Sequence, residues 1–403
     1  MSSMFYYLCP MREDRQLHNI LDIISNYSTK EPLNRYLKNH FNVHREMGSR
    51  DRRQVADFIY NFYRIGRAIP ERTQEERITV GNYLCADSPS PVLQYCISKF
   101  LKGIDADWQI SQGEKINKIK ILYPDFKLDD VFHQSTHISE QINKESFILS
   151  LLKQPKLWIR VRRKFLKEVT DELTKENISF EASEENPLTI SFVNSSKLNK
   201  LKSYENGYFE IQDWSSQQTI NYFKPNPNEH WWDACAGSGG KSLMLYDAEP
   251  LLHLTVSDSR ESILKNLEER FRKAGIRTDQ SFQTDLTNLK PQTLNLKEFD
   301  GIIADVPCTG SGTWARTPEW LSVFEEKSIS SYSDLQKKIV SNIIPFLKMN
   351  CPLIYITCSA FKEENEEVVM WIKNKSQLNI VESAYIKGYD KGGDTMFVAR
   401  MMK

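Results

Sequence analysis

Two cysteines stand where short apolar runs end, in Asp305-Val306-Pro307-Cys308-Thr309-Gly310 and in Thr357-Cys358-Ser359. A thiol at the end of a strand is a candidate nucleophile, provided that a ligand site opens beside it. Upstream, Asp233-Ala234-Cys235-Ala236-Gly237-Ser238-Gly239-Gly240-Lys241 reads as a glycine-rich turn after a strand. Its glycines let the backbone bend sharply and approach a ligand. An isolated cysteine in an apolar segment is usually an inert core residue. Cys9, Cys85, Cys96 and Cys351 read that way, and small size alone accounts for Cys235.

Acids near the ends of the next two runs narrow the ligand. Asp258 is spaced from the glycine turn as an acid that takes a ribose hydroxyl would be, and Asp285 could accept from an adenine amino group. Helix capping or turn formation is the alternative reading of both. The turn is neither a Gly-x-x-x-x-Gly-Lys-Ser phosphate loop nor a clean Gly-x-Gly-x-x-Gly. A cofactor with ribose and adenine but no phosphate, such as S-adenosylmethionine, fits better. In amino-group methyltransferases the corresponding strand ends in Asp/Asn-Pro-Pro-aromatic; here Cys308 takes the aromatic position. That exchange suits a carbon acceptor. Pyrimidine C5 is a poor nucleophile until a thiolate adds at C6, and Asp305 is placed to stabilise such an adduct.

The elements that would position these groups follow from periodicity. Beyond about residue 211, apolar runs at 230–233, 252–258, 281–285, 302–305 and 353–357 alternate with helical patterns at 259–274, 331–347 and 363–373. That alternation predicts an α/β domain over 211–403 with a mostly parallel sheet covered on both faces. Residues 1–140 carry helical spacing, with interruptions expected at Gly81 and at Ser88-Pro89-Ser90-Pro91. Residues 146–210 read as a small α+β module: strands at 157–161 and 188–192, a helix at 167–176. Two basic tracts are candidate RNA contacts. One is Arg45, Arg50, Arg52 and Arg53 with Tyr60, Tyr63, Arg64 and Arg67. The other runs from Lys153 and Lys156 through Arg160, Arg162, Arg163, Lys164 and Lys167.

The chain has 403 residues, and 53 basic side chains balance 53 acidic ones. A polyanion would therefore be held by a local patch rather than by a global field. Seven scattered cysteines argue for reduced thiols and a cytoplasmic setting. No Cys/His grouping has zinc spacing, so no metal is expected. The amino-terminal run lacks a basic leader region, and no stretch reaches the roughly 18 apolar residues of a membrane span.

Taken together, the motifs resemble the RsmB-type, or Sun-family, RNA cytosine-C5 methyltransferases. Asp213-Trp214-Ser215-Ser216-Gln217 is similar to the family's Gln-Asp-x-Ser-Ser-Gln, and Glu364-Asn365-Glu366-Glu367-Val368 to its Glu-Asn-Glu-x-Val. The segment Asp394 to Arg400 resembles the family's final strand. The resemblance implies a Rossmann-like class I methyltransferase domain behind an all-α NusB-like domain and an RRM-like module. It makes Cys358 the C6 nucleophile and Cys308 an aid to release, with Asp305 and Lys241 holding the base. S-adenosylmethionine would lie on residues 235–241 (Cys235, Ala236, Gly237, Ser238, Gly239, Gly240, Lys241), Asp258, Asp285 and Asp305. The expected partner of a monomeric enzyme is small-subunit rRNA, with tRNA or a non-catalytic assembly role as alternatives. Ser238 stands where the family has proline, an exchange expected to loosen the turn.

Overall fold

A computed structural model describes residues 12–105, 107–194, 196–288 and 296–403. Cys9 and the amino-terminal run lie outside the described residues. The chain divides into two compact units.

One unit runs to Thr136 and adds Glu145–Gln154 and Trp314–Phe324. It contains the helices Arg12–Asn26, Leu33–Val43, Ser49–Arg64, Gln74–Cys85, Pro91–Phe100 and Gln112–Leu122. Reciprocal capping boxes, Thr73 with Glu76 and Ser111 with Glu114, start two of them. Ser90 caps a third, which begins with Pro91. Gly81 does not interrupt a helix as expected; it lies inside Gln74–Cys85. A Cβ there would stand 2.4 Å from the Asn61 carbonyl oxygen, so glycine serves the close approach of two helices. The first basic tract is also partly structural. Arg64 is fully buried and donates to the carbonyls of Leu151 and Lys153 at 2.8 and 2.9 Å, and Tyr63 is buried as well. Neither can meet RNA; Arg50 and Arg53 remain exposed.

The second unit holds two sheets. The small one has the order β2-β3-β1-β4, from β1 (Leu157–Val161), β2 (Glu181–Ala182), β3 (Thr189–Phe192) and β4 (Phe209–Ile211). Strand side chains alternate, so Ile159 and Val161 join Val169 and Leu173 of the helix Leu166–Lys175 in one core. Arg160 and Arg162 point to the other side and are buried. Arg160 Nη1 donates to Asp247 Oδ2 at 2.6 Å and Arg162 Nε to Asp247 Oδ1 at 2.8 Å. These two cations are thus internal braces rather than RNA contacts, whereas Arg163, Lys164 and Lys167 stay exposed.

The large sheet has the order β10-β11-β9-β8-β5-β6-β7. Its strands are β5 (His230–Asp233), β6 (His253–Asp258), β7 (Gln280–Gln283), β8 (Gly301–Asp305), β9 (Pro352–Thr357), β10 (Asn379–Lys387) and β11 (Thr395–Met402). β5 to β9 pair in parallel, and the hairpin β10–β11 closes one edge antiparallel. Near-complete burial of β5, β8 and β9, including Trp231 and Trp232, reflects helices covering both faces. Because β8 and β9 are neighbours, with Asp305 opposite Ile356, the two cysteine loops leave the sheet side by side.

Candidate active site

The loop after β5 turns through Gly237 (φ 53°) and Gly239 (φ 85°) into the helix Gly240–Ala248. The space that a side chain would fill at Gly237 is open, with nothing within 4 Å, and that space belongs to a cavity of about 710 Å³. Ser238 does not leave the turn loose: Arg270 Nη1 donates to its carbonyl and its hydroxyl at 2.6 Å while also pairing with Glu210. Beneath the turn, fully buried Asp233 accepts from Ser242 Oγ at 2.6 Å. Burial pushes its carboxyl pKa up to about 7, against the pull of that hydroxyl.

Asp258 and Asp285 both line the cavity, and each also builds local structure. Asp258 accepts the Gly237 and Arg260 amides at 3.0 and 2.9 Å and pairs with the Arg260 guanidinium. Burial raises its pKa, but these donors outweigh it and leave the carboxyl below its ordinary value. Asp285 bonds the Thr287 side chain and amide, which lowers its pKa and realises the turn reading. Leu335 and Ile339, from the helix Lys327–Ile343, supply an apolar wall that sequence reasoning did not assign. Its only sequence signal was a helical pattern.

At the opposite rim stand Asp305, Cys308 and Cys358. The two sulphurs are 3.3 Å apart, both thiols free, and the Cys358 amide also approaches Cys308 Sγ at 3.3 Å. Contact with Cys358, burial and the Glu364 charge push the Cys308 thiol well above its ordinary pKa. Burial does the same for Cys235. Lys241 Nζ donates to Asp305 Oδ2 at 2.6 Å. Burial disfavours the Lys241 cation, but Asp305 outweighs it and raises its pKa.

Of the residues anticipated for the cofactor, Cys235, Gly237, Asp258, Asp285 and Asp305 line the cavity; Ala236, Ser238, Gly239, Gly240 and Lys241 do not. They shape the turn or stand behind it. Gly312 has a spacing role of its own. Its amide donates to the Cys358 carbonyl at 2.9 Å, and a Cβ would stand 2.1 Å from the Thr395 oxygen. Gly312→Ala is expected to cost about 1–3 kcal/mol through overpacking and to part the two thiols. Denaturant melts and thiol titration check both effects.

Sequence reasoning missed Glu364 as a side chain of the site. It is fully buried and accepts from the Thr309 amide at 2.9 Å, from Gln336 Nε2 at 3.0 Å, and from the Thr309 and Ser359 hydroxyls. Among the described residues, His230, His253 and Asp279 form a cluster with metal-ligand spacing. All three are exposed at the amino ends of β5 to β7, far along the sheet from the cysteines. No helix among the described residues is long and apolar enough to cross a membrane.

The chain is similar to known methyltransferases. Residues 220–400 match the family model for 16S rRNA methyltransferase RsmB/F. The chain is similar to ribosomal RNA small subunit methyltransferase B of Photorhabdus laumondii, 26% identical over 62% of this chain, and of Yersinia enterocolitica, 25% identical over 71%. The matches span 60% and 65% of those relatives' own lengths. In fold the chain is similar to the solved structure of PH0851, with a TM-score of 0.72 and 20% identity over 96% of this chain and 98% of that one. It is also similar to NSun6 from Pyrococcus horikoshii with SFG, with a TM-score of 0.59 and 18% identity over 67% and 97%. The Rossmann-like methyltransferase fold, with its mostly parallel sheet, is that of these neighbours.

Proposed function

We propose, because residues 220–400 match the RsmB/F methyltransferase family model, that this chain methylates C5 of a cytosine in RNA, small-subunit rRNA foremost, with S-adenosylmethionine. The observation that carries the reading is the contact between Cys308 and Cys358 at the rim of a cavity that also exposes Asp305. Two thiols in contact beside a carboxylate suit addition to a pyrimidine ring and have no use in amino-group transfer.

The residues present fit the cofactor. Asp258 and Asp285 are acceptors for hydroxyl and amino donors, the open backbone at Gly237 admits a close ligand, and Leu335 and Ile339 offer an apolar face. When bound, S-adenosylmethionine supplies the methyl group as an electrophilic carbon. The Cys358 sulphur forms a bond to C6, and the C5–C6 π electrons move into the ring, which makes C5 nucleophilic. Asp305, steadied by Lys241, faces N3 and the exocyclic amine and stabilises that charge. Once C5 carries the methyl group, its proton leaves to a base, the C5–C6 double bond re-forms, and Cys358 departs as thiolate. Cys308, in contact with that sulphur, is placed to return a proton to it.

On this reading residues 1–140 act as a NusB-like RNA-binding domain with Arg50 and Arg53 as contacts, 146–210 as an RRM-like module and 211–403 as the catalytic domain, in a cytoplasmic monomer. Nucleoside mass spectrometry of unmodified small-subunit rRNA incubated with S-adenosylmethionine tests the proposal. 5-Methylcytosine is expected; its appearance only with tRNA would move the substrate, and its absence from both would overturn the reading. Cys308→Ala should leave the adduct formed but slow to resolve. A covalent RNA–protein band on a denaturing gel is expected, and its absence would remove Cys308 from product release.

A further inference from the structure

Glu364 is clasped more completely than a structural carboxylate requires. An ionised carboxylate offers about four acceptor positions and no donor. Here Oε1 takes the Thr309 amide and Gln336 Nε2, while Oε2 takes the Thr309 and Ser359 hydroxyls. All four donors belong to the cysteine loops or to the side chain behind them. Gln336 also donates to the Pro307 carbonyl at 3.0 Å, and Tyr355 Oη donates to the Glu364 carbonyl at 2.6 Å. Sheet pairing cannot replace this grip, because Pro307 has no amide proton and the chain beyond it leaves the ladder. The last ladder-type bond before Cys308 is from the Val306 amide to the Ile356 carbonyl.

Charge is arranged as carefully as position. The anion of Glu364 acts on Cys308, whereas the Lys241 cation acts on Cys358. The carboxylate thus adds to what disfavours charge on Cys308.

We propose that Glu364 is a positioning residue for the thiol pair: it clasps the Cys308 and Cys358 loops so that the sulphurs meet, and it sets a carboxylate against Thr309, beside Cys308. The roles of the two thiols rest on the function proposed above, but the clasp itself does not, and it can be tested without RNA. Phenylarsine oxide condenses with two adjacent thiols, forming two arsenic–sulphur bonds and releasing water. It should bridge Cys308 and Cys358 in the wild-type protein, as read by peptide mass mapping. Glu364→Ala should bridge at least about tenfold more weakly, the equivalent of one buried hydrogen bond lost. Glu364→Gln keeps the packing but sets an amide donor against Thr309 or Ser359, and should weaken bridging too. In that variant iodoacetamide should alkylate Cys308 from a lower pH than in the wild type, because the neighbouring charge is gone.

Wild-type bridging in Glu364→Gln, or an unmoved Cys308 alkylation profile, would overturn the proposal. If Glu364→Ala does not fold, the glutamine variant decides alone. A wild-type protein that bridges the arsenical yet methylates no RNA would sink the functional reading and leave the clasp standing.

Discussion

Cys358→Ala is expected to abolish the proposed methyl transfer, by at least about 10⁴-fold in kcat as for other lost nucleophiles, with cofactor and RNA affinities within a factor of a few of wild type. The expectation follows from where the sulphur sits. Cys358 is at the cavity rim directly after β9, and its carbonyl, rather than its side chain, receives the amide of Gly312. Losing the sulphur removes a reacting atom and its contacts with Cys308 and the core, but leaves the backbone bond that holds the loop. Single-turnover methylation beside equilibrium RNA binding separates the two effects. Measurable turnover in the variant would strip Cys358 of its role. An equal loss in RNA affinity would mean that the cysteine is structural.

The second large effect concerns the ion pair behind the thiols. The Lys241 side chain is 10% exposed and that of Asp305 32%. Breaking a buried pair by removing one partner costs about 3–5 kcal/mol, because the other charge is left without compensation. The two deletions should not be equivalent. Asp305→Ala strands a buried ammonium and belongs at the upper end of that range. Lys241→Met leaves a carboxylate that water can reach, and refills the space of the lysine stem, so it should destabilise less. Both should lose most of their turnover, since Asp305 without Lys241 is no longer held at the rim. Denaturant unfolding of the two variants, read against their kcat values, checks the asymmetry; equal losses of stability would contradict it.

Strand ends were the most legible part of the chain. β8 and β9 are apolar up to the Asp or Thr that ends them, and turn residues follow, so their limits and the placing of Cys308 and Cys358 could be read from spacing. The helix Gly240–Ala248 was not. Its residues Lys241 to Leu245 are buried in succession, so no polar face marks a helical period. Gly81 was misread for a related reason: a glycine that admits a neighbouring helix looks, in one dimension, like a glycine that ends its own. Arg64, Arg160 and Arg162 belonged to tracts that resembled solvated cations. Leu151 and Asp247, which accept from them, lie more than 80 positions away, and no local pattern points to them. Glu364 was visible as part of a motif but not as a side chain of the site. Its four bonds come from residues 309, 336 and 359, which only the folded sheet brings together.

Asp247 does more than neutralise two arginines. It occupies the last turn of the helix whose first turn carries Lys241. At 1.5 Å per residue, six steps separate the two by about 9 Å along a rigid rod. One end of that rod is pinned to β1 through Arg160 and Arg162, the other to β8 through Asp305. A shift of the small sheet along the rod axis would be transmitted to the Lys241 ammonium behind the rim, because a helix bends far more readily than it compresses. Registration of the small sheet thus sets the seat of Lys241, much as a tailstock and chuck together fix a workpiece between them.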